Sequence, residues 1–177
     1  MKKLFDLKII ERYGITLRLV DETDSEFIVK VRTELGHHIS PTSDNIEDQK
    51  RWIRDYKIRE ENGLEYYFIT VGPKNERWGT TRLSELDGDC FELGSWIFSK
   101  DAPQGVSIKA DIITKEIGFD LLGFKCCKFD VRKQNKSVLK YHLNFNPVIV
   151  HENDLNFYFN LSESEFSITK KRFLKVL

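Results

Sequence analysis

The sequence predicts an α/β (α+β) fold: a mixed, mostly antiparallel central sheet of six to seven strands, flanked by about four helices. Three observations lead there. The apolar pattern alternates between strand and helix periods in the order β-α-α-β-β-β-α-β-α-β-β. Three of those strands follow one another through tight turns, which makes an antiparallel meander. A helical segment at 106–122 then joins two further strands, and such a crossover lays them parallel or nearly so.

The elements are justified in chain order. ITLRLV at 15–20 alternates apolar and polar residues, as a half-buried strand does. DETDSEFIVKVRTELG follows, with acids at its front and Phe27, Ile28, Val31 and Leu35 at helical spacing. Acids suit the positive end of a helix dipole, and Gly36 stops the run. HHISPTSD reads as loop, punctuated by Pro41. Asp44 with Glu47 resembles a capping box for a second helix that turns Ile46, Ile53 and Tyr56 inward, with Trp52 near that stripe. Its cations Lys50, Arg51, Arg54, Lys57 and Arg59 form a face that is more often solvated than ligand-binding.

LEYYFITV, ERWGTTRLSEL and CFELGSWIFS are the meander, the last two strands joined by the turn DGD. The segment after Pro103 places Val106, Ala110, Ile113, Ile117 and Leu121 on one helical face and ends at Gly123. KCCKFDV is a strand, NKSVLKYHLNFNP a short helix, and PVIV and LNFYFNL the closing strands. In the last, Leu155, Phe157, Phe159 and Leu161 share one face, opposite Asn156, Tyr158 and Asn160. No repeat or linker divides the chain, so 1–177 is expected to be one domain, with 1–14 an N-terminal extension and 162–177 a tail or helix.

Composition excludes several classes. Hydrophobic residues make up 40% and charged residues 32%, an ordinary globular balance. Twenty-eight basic and 28 acidic residues cancel, so no overall field steers polyanions, and no nucleic-acid partner is expected. No signal peptide or membrane span is legible, which points to a cytoplasmic protein with no membrane partner. Cys90, Cys126 and Cys127 are an odd count without a CxxC pair, fitting neither a disulfide framework nor a zinc cluster, and no metal is expected. Cys126 and Cys127 read as small hydrophobes of a strand rather than nucleophiles.

Two stretches could carry chemistry. DAPQGVS runs into a helix, whose first turn offers unpaired backbone N–H groups and the positive dipole end to a phosphate. Gly105 permits close approach and Ser107 adds a hydroxyl. Such a turn is nevertheless common without any ligand. In the short helix, Asn135 suits the N-cap and Asn146-Pro147 a left-handed stop. Val138, Leu139 and His142 share a side, with Tyr141 turned about a quarter of the way round. A lone histidine there is more often packed than catalytic.

Together these residues carry a resemblance. From about Ile15 to Leu161 the chain resembles the GNAT (Gcn5-related) N-acetyltransferases, in the branch of ribosomal-protein-alanine and amino-sugar acetyltransferases. The resemblance implies acetyl-CoA as donor, bound where the fourth and fifth strands of the family's sheet splay apart. The pyrophosphate motif Arg/Gln-x-x-Gly-x-Gly/Ala falls on Ala102–Ser107, with Gly105 in place, Ser107 as the small residue, and Ala102 lacking the usual side-chain contact. It implies that Gln104, Gly105, Val106, Ser107, Ile108 and Lys109 hold the cofactor, largely through backbone. The later family motif matches Asn135, Val138, Tyr141 and His142, with Asn146 where glycine normally stands, and adds Asn135 and Ser137 to the donor site.

By the same resemblance His142 is the first choice and Tyr141 the second for the acid that protonates departing coenzyme A. Backbone around Trp96, Ile97 and Phe98 supplies the oxyanion donor. Glu92 is the best-placed base, beside the option of a water relay. The acceptor wall is implied at about His37–Trp52, with Tyr66, Tyr67 and Arg82. Three functions stay open: acetylation of a small-molecule primary amine, foremost an amino sugar on a nucleotide; acetylation of a protein N-terminus or lysine; or a non-catalytic acyl-CoA-binding module. A homodimer is left open.

Overall fold

The chain begins its sheet with a hairpin. β1 (Ile9–Arg12) and β2 (Ile15–Leu19) pair antiparallel around Tyr13 and Gly14, whose φ angles of 54° and 75° are those of a twist-matched two-residue turn. The computed structural model describes residues 8–34 and 43–176. Within them, α1 (Ser25–Glu34) and α2 (Ile46–Glu61) precede β3 (Tyr66–Val71), β4 (Arg77–Asp87) and β5 (Cys90–Phe98). There follow α3 (Val106–Glu116), β6 (Cys126–Arg132), α4 (Lys136–Leu143), β7 (Val148–Glu152), β8 (Asn156–Ser162) and α5 (Glu163–Phe173).

The eight strands lie in the order β1-β2-β3-β4-β5-β6-β8-β7. Every neighbour is antiparallel except β5–β6, which the α3 crossover makes parallel, as the sequence predicts. Two elements exceed the expected count. Part of the supposed extension is β1, which buries Ile10, and the segment left open as tail or helix is α5, which buries Phe166 and is capped by the Ser162 hydroxyl.

The sheet separates two cores. β3 is buried on both sides: Tyr66 and Phe68 face the larger core under α3, while Tyr67, Ile69 and Val71 face the smaller one with Ile28, Val31, Ile53 and Tyr56. The cationic residues of α2 are engaged in ion pairs, Lys50 with Glu47, Arg51 with Asp48, Arg54 with Glu22, Lys57 with Glu60 and Arg59 with Glu65. Tyr66, offered above for the acceptor wall, faces the core instead. α2 starts one residue later than expected: Asn45, not Asp44, is the cap, its side chain accepting from the amides of Glu47 and Asp48. Leu35, Gly36 and the loop from His37 through Thr42 lie outside the described residues.

The cysteines require a correction. Cys90 and Cys126 are register partners on β5 and β6 and form a disulfide, 36 residues apart in sequence. Spacing could not reveal it, because the pairing exists only through strand register. Cys127 alone behaves as the small hydrophobe expected: it is fully buried, and burial pushes its thiol pKa upward. Among the described residues no helix is long and apolar enough to cross a membrane.

Candidate active site

β5 and β6 run side by side for three residue pairs only, Cys90–Glu92 against Cys126–Lys128. Beyond Glu92 they part. Within β5 the register against β4 slips between Thr80–Ile97 and Arg82–Gly94, and Ser95 takes a φ of 48°. This is a bulge, which bends the strand and turns its edge. The Thr80 hydroxyl fixes it, donating to the Ser95 carbonyl at 2.6 Å. Main-chain groups on that edge of β5 therefore have no partner strand and face a cleft of about 630 Å³.

Many of the residues singled out in the sequence meet in this cleft. Glu92, Trp96, Ile97 and Phe98 line it from β5, Ser107 from α3, and Asn135, Ser137 and His142 from the α4 side. Asn135 also caps α4, accepting from the Val138 amide, and Asn146 carries the left-handed φ of 54° expected of a helix stop. The Trp96 indole donates to the Ser107 carbonyl at 2.9 Å and so locks β5 to the start of α3.

That start is open. Gly105 is the N-cap of α3 with φ 83°, and no side chain caps the helix. The Val106 amide closes on the Pro103 carbonyl and the Lys109 amide on Gly105, so the donors without a backbone partner narrow from the whole 105–109 run to Gly105, Ser107 and Ile108. The other predicted residues of the turn do not line the cleft. Gln104 is exposed, and the Val106 and Ile108 side chains pack on the core. A left-handed φ costs an L-residue about 1–2 kcal/mol, so Gly105→Ala is expected to lower stability by about 1 kcal/mol in urea unfolding. An unchanged midpoint would show that the turn relaxes.

Tyr141 and His142 divide. The Tyr141 hydroxyl donates to Asp111 Oδ2 at 2.5 Å, and Tyr141 is not among the cleft-lining residues. Burial, then the Asp111 charge, raises its pKa well above the ordinary range, so the phenol stays protonated but committed. His142 does line the cleft, its ring packed on Phe129 at 4.6 Å, Tyr141 at 4.9 Å and Trp96 at 5.3 Å. Burial, helped by the Lys115 charge, pulls its pKa down to about 3, so the imidazole is neutral at neutral pH. Glu92 is half-buried; desolvation first and then neighbouring Glu85 raise its pKa above the usual carboxylate value.

Sequence reading missed the β6 wall of Phe129, Asp130, Val131 and Arg132, together with Arg32 and Asn156. Asn156 donates to Asp130 at 2.8 Å. A smaller recess adjoins the cleft, lined by Arg32, Gln49, Trp52, Tyr67, Arg82 and Ser95. Arg82 spans it, with Nε 2.8 Å from Glu65 and its guanidinium 5.6 Å from the Trp52 ring centre.

Comparisons with known proteins agree with this geometry. A sequence profile described as an acetyltransferase (GNAT) domain matches residues 15–143. No functionally curated protein matches the sequence. Among solved structures, apo FdhC, described as a nucleotide-linked sugar GNAT, is 33% identical, with 94% of this chain and 96% of that chain covered and a TM-score of 0.84. The ribosomal-protein-S5-alanine acetyltransferase of Vibrio fischeri shares the fold at 14% identity, 89% and 98% coverage and a TM-score of 0.74. A chimera of the spermidine N-acetyltransferase of Vibrio cholerae with hSSAT does so at 14%, 87% and 98%, with 0.72. A parted strand pair, an uncapped helix start facing the gap, and a matching profile over most of the chain lead to one assignment: this protein is a member of the GNAT acetyltransferase family.

Proposed function

We propose that the chain is an acetyl-CoA-dependent N-acetyltransferase whose acceptor is the primary amine of an amino sugar carried on a nucleotide. The observation that carries the reading is the gap between β5 and β6, about 630 Å³, beside the uncapped N-terminus of α3. The donor fits there. The Ser107 and Ile108 amides meet its diphosphate, and the open edge of β5 at Trp96–Phe98 offers N–H groups to the pantetheine arm and the developing oxyanion. Asn135 and Ser137 complete the wall.

Acyl transfer needs a neutral amine and a leaving thiolate. Glu92 takes the proton from the amine nitrogen, directly or through water, and its raised pKa suits that work. As nitrogen bonds to the acyl carbon, the carbon–sulfur bond breaks and its electron pair leaves on sulfur. His142, neutral at working pH, meets that charge with an N–H hydrogen bond rather than as an imidazolium, and solvent returns the proton to sulfur. This reassigns the acid role that the family resemblance implies.

The nucleotide part rests on likeness to FdhC and on the recess holding Arg32, Arg82 and Trp52. Two guanidinium groups suit a diphosphate, and an aromatic ring suits a base. The test measures thiol release from acetyl-CoA with nucleotide-linked amino sugars, free amino sugars, spermidine and an alanine-start peptide. The nucleotide-linked sugar should exceed the free sugar in kcat/KM by about a hundredfold, the worth of one or two charge-assisted hydrogen bonds. Preference for spermidine or the peptide overturns the acceptor; no thiol release with any amine overturns the reading.

A further inference from the structure

α3 carries into the interior two charges that the chemistry above does not use. Asp111 and Lys115 are one helical turn apart, each 0% exposed, with Lys115 Nζ 2.5 Å from Asp111 Oδ2. Three rings crowd the ammonium: Phe145 at 4.6 Å, Tyr141 at 5.6 Å and Phe129 at 5.8 Å to their centres. Asp111 Oδ2 also accepts the Tyr141 hydroxyl, while Oδ1 is buried with no hydrogen-bond partner.

Such a pair is a poor device for stability alone, because desolvating two ions consumes most of what their attraction returns. Its geometric effect is specific. It ties α3 to α4 at Tyr141, the residue next to His142. α4 is only eight residues long, and the Nδ1 of His142 is buried without a partner. The His142 ring is placed by packing against Phe129, Trp96 and Tyr141, so whatever fixes Tyr141 helps to fix the imidazole.

We propose that Asp111 and Lys115 are positioning residues for acyl transfer: they hold the Tyr141 hydroxyl and thereby set the His142 ring against the cleft. This rests on the acetyltransferase reading above and gives Tyr141 the part of an anchor. A buried pair replaced on both sides by apolar residues of similar length commonly leaves a fold intact. The test is therefore the double variant Asp111→Leu with Lys115→Met, beside Tyr141→Phe, which removes only the tether.

Both should fold, keep KM for acetyl-CoA within about threefold, and lose about tenfold or more in kcat, as a displaced catalytic ring does. The His142 side-chain nitrogen resonances of the free, labelled protein should move in both. Unchanged kcat and unchanged His142 resonances overturn the proposal. If the double variant fails to fold, Tyr141→Phe decides by the same two measurements. If the wild-type protein transfers no acetyl group, the function reading fails by itself. The resonances then still judge the anchoring: unmoved signals in a folded variant end it.

Discussion

Lowering the pH from 7 to 4 is expected to remove about 3 kcal/mol of folding stability through His142 alone. In the folded chain its pKa stands at about 3, against an ordinary 6.5, because the ring sits among Phe129, Trp96 and Tyr141 with Lys115 nearby. A depressed folded value means that the unfolded chain binds the proton more readily. The contribution is fully present above 6.5 and falls away as the pH drops toward 3. Asp24 and Glu116, whose pKa values are also lowered in the fold, add an acid loss of their own, so a variant must isolate the histidine.

His142→Phe supplies it, since another ring suits an aromatic pocket. The stability difference between wild type and variant, from urea unfolding at pH 7 and pH 4, should shrink or invert by about 3 kcal/mol. Parallel curves would show that the ring is not buried neutral. The same variant should lose about a hundredfold in kcat while still binding coenzyme A. The wild-type rate should show no inflection near 6.5 attributable to this residue.

The second large effect concerns the Cys90–Cys126 bond. A cross-link closing a 36-residue separation removes unfolded-chain entropy worth about 4 kcal/mol in the chain-entropy account. Its location adds to this, because it spans β5 and β6 where only three residue pairs join them. Urea unfolding with and without a reductant, and of Cys90→Ala, should show a loss of about 3–4 kcal/mol. A loss under about 1 kcal/mol would mean that the unfolded chain is already constrained or that the bridge does not form. Cys127 is buried and does not compete for the pairing in the folded chain.

What the sequence made legible was local. Alternation in ITLRLV marks β2 and the β-branched and aromatic run LEYYFITV marks β3, while Gly123, with φ 79°, stops the chain just after the π-helical turn Ile117–Leu121 that prolongs α3, because each depends on neighbours a few residues away. Asn135 and Asn146 were legible for the same reason: a cap and a left-handed stop are properties of one turn. β1 escaped notice because Glu11 and Arg12 interrupt its short apolar pattern, and only pairing with β2 makes it a strand. The cap of α2 was off by one, since Asp44 and Asn45 are both good caps and backbone geometry chooses between them.

The site was legible as a neighbourhood and not as a division of labour. Tyr141 and His142 lie about 100° apart on the helix. Tyr141 turns to Asp111, 30 residues earlier, while His142 lines the gap, and no spacing rule reaches that far. The β6 wall was missed because Phe129 and Val131 read as ordinary core of an alternating strand. They do serve the core, and the cleft is lined where that core surfaces.

The brief contact of β5 with β6 gives the sheet the build of a book with a short spine. One leaf is β1–β5, backed by α1, α2 and α3; the other is β6, β8 and β7 with α4 and α5. The spine is three rungs and one sulfur bridge long, and the pages are clipped together by the Asp111–Tyr141 hydrogen bond. Behind the spine one continuous interior, from Leu17 and Phe91 to Phe159 and Phe166, and the Lys170 pairs with Glu116 and Asp120 bind both leaves, so the width between the pages is built into the packing and needs no swinging flap.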